Sequence, residues 1–355
     1  MSAHRSLSVL PCFVLLFVLF SSIMDAYAGK MSFEQLGELI PSPSESRLAS
    51  GAPGPAYWQQ EANYKIQVEL DEANHSIHGS ETIEYTNYSP HTLSYIWVQL
   101  DQNALAQDSK RQRSTQAPNL NSSAGQPAEL EYEGFRFFLY NQEFEGGYLL
   151  ESVSASNGDA LDYTVVETNM RIDLAQALKP GESFSFNIDW SFKIVDEAMD
   201  YRHGKRQLKN GEYTYHLAQW YPRVCAYYDQ QGWQVKPYMK QGEFALEFGT
   251  FEVEITVPSD YIVAATGELT NASDVLSSNM QDRLSEARSS SRVVDIVTAE
   301  ETEQKIGKRA RDTKTWKFKA DKVRDFAFGT SRGYQWDAMG VEVDGRTVMA
   351  MSVYP

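Results

Sequence analysis

The chain has little with which to cross-link itself. Its 355 residues include two cysteines, Cys12 and Cys225, and Cys12 falls in a segment read below as a cleaved leader. One remaining thiol makes no internal disulfide, so the fold must be held by its core. No histidine adjoins Cys225, which reads as a small buried hydrophobe rather than a nucleophile. Positive charge is also short, with 32 Lys and Arg against 48 Asp and Glu, a net charge of −16. That balance argues against nucleic acid or an anionic membrane as a partner, since both need a basic surface. The apolar run from Leu7 to Phe20 falls short of the roughly 20 residues that span a bilayer.

What surrounds that run is informative. His4 and Arg5 precede it, and a short polar stretch after it ends in Ala26-Tyr27-Ala28. A charged start, an apolar middle and an A-x-A end predict a signal peptide over 1–28. Cleavage after Ala28 implies an exported protein with no integral membrane segment left; the alternative is an uncleaved membrane anchor. Residues 29–56, rich in Ser, Pro and Gly, read as a leader or linker, and 57–355 as the folded part. There the pattern turns to period two. Tyr64, Ile66, Val68 and Leu70 share one face, as do Phe184, Phe186, Ile188, Trp190, Phe192 and Ile194, and then Phe251, Val253, Ile255 and Val257. Such alternation predicts half-buried antiparallel strands, and turns such as Asp344-Gly345 punctuate them. The fold class is mainly β, a large antiparallel β-sandwich. Residues 101–130 read as a solvated polar loop, and a short helical excursion near 275–310 carries caps at Ser273 and Thr298.

Catalytic motifs are missing. The six histidines do not form His-Glu-x-x-His, which presents two zinc ligands on one helical face beside a general base. His75 and His78 flank a turn, where a spacing of three on an extended chain points them apart. There is no G-x-S-x-G, P-loop or dinucleotide fingerprint. Glu243, Glu247, Glu252 and Glu254 fit a solvated strand face.

One stretch concentrates recognition chemistry: "QWYPRVCAYYDQQGW", Gln219 to Trp233, with five aromatic side chains and one arginine. If extension continues from Tyr213, Tyr215 and Leu217, Gln219 and Tyr221 stay on their face until Pro222 ends the ladder. Gln219, Tyr221 and Arg223 would then sit at a strand end, where loops carry function. The structural alternative places Trp220 and Tyr221 in the core and pairs Arg223 with a carboxylate such as Asp229.

These residues also resemble a known family. "YWQQEANYKIQVELDEANHSIHGSETIEYTN" with "LSYIWVQLDQN", then "QWYPRVCAYYDQQGWQVKPY", "GEFALEFGTFEVEITVPSDYIVAATGEL" and "VRDFAFGTSRGYQWDAMG" resemble, in order, bacterial relatives of aminopeptidase N. These are zinc metallopeptidases of the gluzincin type. The resemblance implies that 57–355 is a saddle-like N-terminal β domain that packs against a thermolysin-like catalytic domain. It implies a bacterial, hence periplasmic or secreted, location. Zinc is expected in that catalytic domain, with no metal site and no catalytic residue in this chain. The chain is expected to be a truncated or split product, inactive alone, with the catalytic domain supplied in cis or in trans. Gln219 matches the first position of the family's Gln-x-Glu or Gln-x-Gln, near the substrate amine. Tyr221 replaces the second, which removes a charge and puts selectivity for free N-termini in question. Gln219, Tyr221 and Arg223 are the candidate substrate-binding residues, with a peptide as substrate of the intact enzyme. The alternative is a standalone periplasmic β-sandwich used for binding or scaffolding. Under the first reading, an exposed apolar patch is expected near the C-terminal strand and Trp220–Trp233.

Overall fold

The computed structural model describes residues 43–114, 132–199, 203–239 and 245–355. The predicted signal peptide lies outside the described residues. Contacts divide the chain into two units at Trp58 and Gln59. In the first, a bridge joins Arg47 to Pro53, and the Arg47 guanidinium stands 5.4 Å from the Tyr57 ring centroid.

The second unit, Gln59–Pro355, is mainly β. Its largest sheet has seven strands, ordered Glu268–Leu269, Thr313–Val323, Gly249–Pro258, Glu61–Asp71, Ser76–Thr86, Ser183–Lys193 and Leu149–Ala155. The expected alternation holds: Tyr64, Ile66, Val68, Leu70, Phe186, Ile188, Trp190 and the inward residues of Gly249–Pro258 are all buried. Their outward neighbours Glu252 and Glu254 instead pair with Lys319 and Lys317. Gly79 lies opposite Trp190 because a Cβ there would collide with the indole. Glu81, on the same inward face, is buried, and burial pushes its carboxyl well above the usual range. One pairing departs from the antiparallel expectation: Glu61–Asp71 runs parallel to Gly249–Pro258, with Ile66 opposite Val253.

Two four-stranded sheets share the same hydrophobic core. One orders Arg223–Val224, Leu93–Gln99, Asn169–Leu178 and Tyr163–Val166. The other orders Ile262–Ala265, Phe328–Ser331, Tyr213–Leu217 and Gly204–Gln207. Arg332, just past Ser331, is buried and fixes this second sheet. Its Nε donates to Asp260 at 2.6 Å, its Nη1 to Glu212 at 2.7 Å and its Nη2 to Glu72 at 3.0 Å. A three-stranded sheet ends the chain in the hairpin Gln335–Val343 and Arg346–Tyr354. Asp344 and Gly345 turn it with φ of 50° and 74°, the left-handed pair of a tight hairpin turn.

The helical excursion comprises Ala272–Val275, Ser278–Ser289 and Ala299–Glu303. Thr298 and Glu301 form the capping box of the last. The cap expected at Ser273 lies instead at Ser277, whose side chain accepts from the Met280 N–H. The polar loop needs a larger correction. Asp101–Leu105 is a 3-10 turn whose Asp101 and Gln102 are buried, because polar residues further along the chain bond them there. Lys110–Ser114 is helical, residues 115–131 lie outside the described residues, and an unanticipated helix follows at Tyr132–Glu143.

Candidate functional site

The strand Tyr213–Leu217 stops before Pro222, so extension does not carry through the recognition stretch. Gln219 turns the chain with φ of 56°, a left-handed conformation uncommon outside glycine. Two buried bonds fix it: the Gln219 carbonyl accepts from Gln102 Nε2 at 2.9 Å, and Oε1 accepts from the Tyr238 hydroxyl at 2.7 Å. With the chain turned, Trp220 and Tyr221 both enter the core instead of taking opposite faces. The Trp220 indole donates to the Phe326 carbonyl at 2.9 Å and meets Phe328 edge-on at 5.0 Å. Tyr221 stands edge-on to Tyr64 and Phe251, at 5.5 and 5.8 Å, and donates to Asp325 Oδ1 at 2.9 Å.

Pro222 does not end pairing, since Arg223 and Val224 join the ladder opposite Gln99 and Val98. The Arg223 side chain, 0% exposed, bridges two carboxylates. Nη2 and Nε donate to Asp101 Oδ2 at 2.7 and 3.1 Å, and Nη1 donates to Asp325 Oδ2 at 2.8 Å. Burial disfavours the guanidinium charge, but Asp101 and Asp325 outweigh it and hold Arg223 protonated. Burial lifts the Asp101 carboxyl above its usual range against the pull of Arg223. Burial, with Asp325 adding, likewise keeps the Tyr221 phenol neutral. Asp325 is the open end of this centre, its side chain 39% exposed.

The three sequence-derived site residues therefore lie in one buried turn. Tyr221 and Arg223 meet at Asp325, while Gln219 joins Gln102 and Tyr238. Sequence reasoning missed Asp101, Asp325 and Gln102, whose partners lie more than 100 residues along the chain, and Tyr238, which meets Gln219 across 19 residues with no local spacing to mark it. Cys225 is buried, with Sγ 3.9 Å from Asn169 Oδ1, and burial pushes its thiol up, which leaves it unreactive. His75 turns from the strand to bond Tyr215, Nδ1 to hydroxyl 2.7 Å, while His78 lies on the exposed face.

Among the described residues, no group of three or more His, Cys, Asp or Glu is placed to hold a metal ion. Zinc therefore finds no ligand set in them. No helix among them is long and apolar enough to cross a membrane.

A second feature lies along the C-terminal hairpin. A groove of about 750 Å³ is lined by apolar residues including Leu269, Leu284, Phe318, Trp336, Met349 and Met351, with Glu268 and Arg288 also present. Val348 and Met351 of the last strand are about half exposed, at 48% and 52%. Among the described residues this strand is an edge, paired on one side alone. Exposed apolar side chains thus occur at the C-terminal strand, whereas Trp220 is fully buried.

No protein-family model matches the chain, and no curated protein does. Among solved structures it is similar to a mutant of the M1 zinc metallopeptidase from Deinococcus radiodurans bound to a Tyr-Ser-Ala substrate. That match has a TM-score of 0.44 and 13% identity, over 85% of this chain and 49% of that one. A two-domain M1 zinc metallopeptidase mutant bound to L-tryptophan gives a TM-score of 0.43 and 12% identity, over 85% and 50%. Another structure of the M1 zinc metallopeptidase from Deinococcus radiodurans gives 0.42 and 12%, over 85% and 49%. The chain spans about half the length of the solved proteins it is similar to.

Proposed function

We propose that this chain is the N-terminal β domain of an exported zinc metallopeptidase of the aminopeptidase N type. It forms part of a peptide pocket and docks, through the C-terminal groove, against a domain that carries the zinc. The four ordered sequence blocks support the family. The apolar groove supports the docking, because Val348 and Met351 of the edge strand beside it are about half exposed. In the intact enzyme zinc would polarise the scissile carbonyl and activate water. This chain's part is to position. Gln102 and Tyr238 fix the Gln219 turn, and Arg223 holds Asp101, the chain neighbour of Gln102. Asp325, partly exposed and bonded to Tyr221, supplies a negative charge that the phenol lacks.

Expression of residues 29–355 and assay on aminoacyl and peptide substrates with added zinc should give no turnover; robust turnover would overturn the proposal. Immobilised 29–355 should capture a polypeptide that contains His-Glu-x-x-His and binds zinc. Met351→Asp should abolish that capture without unfolding the domain. The same groove also suits a standalone binding protein. Capture of a partner without the zinc motif, or of none, would favour that reading over a peptidase domain.

A further inference from the structure

The recognition stretch ends in a hairpin with few backbone bonds of its own. Its ladder pairs Tyr227 with Trp233 and Tyr228 with Gly232, and the Gln234 N–H closes it on the Ala226 carbonyl at 2.9 Å. The rest of its seat is made by side chains. The Trp233 ring lies 5.0 Å from Tyr227 and 5.8 Å from Tyr85, and the Tyr227 hydroxyl is 2.8 Å from His91 Nδ1. Glu247 completes the seat, with Oε1 accepting the Tyr227 N–H at 2.9 Å.

Glu247 is not the solvated strand residue its spacing suggests. The groups that face it are the Tyr227 N–H, Tyr85 and Arg324, whose guanidinium lies 4.3 Å from the Phe248 ring centroid. Burial pushes the Glu247 carboxyl up to about 7, against the pull of the Tyr227 N–H and of Arg324. A glutamate released to water returns to its ordinary value of 4.5. The seated hairpin therefore binds the Glu247 proton more tightly than the unseated one, so protonation must favour seating. As pH rises through neutrality, the seated state must hold a buried anion, and opening relieves it.

We propose that Glu247 is a proton-operated clasp: the hairpin Tyr227–Trp233 is locked while this carboxyl carries its proton and loosens when it ionises. The proton exchanges with solvent. The hairpin follows Arg223, Val224, Cys225 and Ala226, so loosening acts just downstream of the segment that holds Gln219 and Tyr221. The clasp stands on the hairpin's own contacts and does not depend on the peptidase reading.

Hydrogen exchange of the 227–233 amides in the full chain, corrected for intrinsic rates, measures the opening equilibrium between pH 5 and pH 8. With a seated carboxyl at about 7 and a solvated one at 4.5, opening should increase by up to about 70-fold over that range. Glu247→Gln keeps an acceptor for the Tyr227 N–H and should flatten the dependence. His91→Asn is the control for the other titratable group on Tyr227, and it should leave the increase intact. A flat wild-type profile, an increase that survives Glu247→Gln, or one that disappears in His91→Asn would each overturn the clasp.

Discussion

Replacing Arg223 with methionine measures what the polar centre contributes. Methionine fills much of the arginine's space and can follow its path through the core, so the main loss is the charge and its hydrogen bonds. Two carboxylates lose their partner, and they are not equivalent. Asp101 is 1% exposed at its side chain, whereas Asp325 is 39% exposed and keeps its Tyr221 and Phe326 donors. Breaking a buried ion pair from one side costs about 3–5 kcal/mol, while an exposed pair contributes about 1 kcal/mol or less. The expected loss is therefore about 3–5 kcal/mol, set almost wholly by Asp101. For a folded unit as long as Gln59–Pro355 that lowers Tm by roughly 5–8 °C. Because the cost comes from an orphaned buried acid, Arg223→Met combined with Asp101→Asn should recover more than half of it. Urea unfolding and calorimetry on wild type, both single variants and the double variant complete the cycle. A loss under about 1 kcal/mol in Arg223→Met, or a double variant no more stable than the single, would refute the reasoning.

Other perturbations read other parts of the fold. Arg332→Met leaves Glu212, nearly buried, without its inner partner, and should lower stability by about 3–5 kcal/mol by urea titration. Gly79→Ala drives a methyl into the Trp190 indole and should cost about 1–3 kcal/mol, seen together with a change in tryptophan emission. Global stability should follow pH in a definite direction at Glu247. Its folded carboxyl titrates at about 7 against 4.5 in the unfolded chain, so the contribution is complete below the lower value and lost as pH rises through the upper one. The amplitude is up to about 3 kcal/mol, and Glu247→Gln should remove it in urea titrations from pH 4 to 8.

The sheet strands were legible because one face of each is buried, and burial writes itself into sequence as alternation. Tyr64 to Leu70 and Phe251 to Val257 follow it residue by residue. Their parallel neighbourhood was not legible, because alternation reports which face is covered and says nothing about which strand lies alongside. The polar centre was half legible. The richness of Gln219 to Trp233 was visible, but Asp101 belongs to a run whose composition reads as loop. Its burial depends on a guanidinium 122 residues away. Glu247 misled for the same reason in reverse, since strand spacing suggested solvent and the Tyr227 N–H, 20 residues back, bonds its carboxyl. Gln219 failed at a single torsion. A left-handed residue that is neither Gly nor Asn carries no sequence signal, and it redirects Trp220 and Tyr221 together.

The parallel pairing of Glu61–Asp71 with Gly249–Pro258 sets a timetable for the chain. Gln67 and Glu254, side by side across that pair, are 187 residues apart. A strand near the start of the domain thus waits for one made much later, while its other edge can close early on Ser76–Thr86. A polypeptide delivered N-terminus first would present Tyr64, Ile66 and Val68 in an unfinished sheet until residue 258 arrived. Long-range closure of this kind is slow and leaves strand edges bare in the interval. For this domain, the vulnerable moment is the interval before the centre of its largest sheet can form.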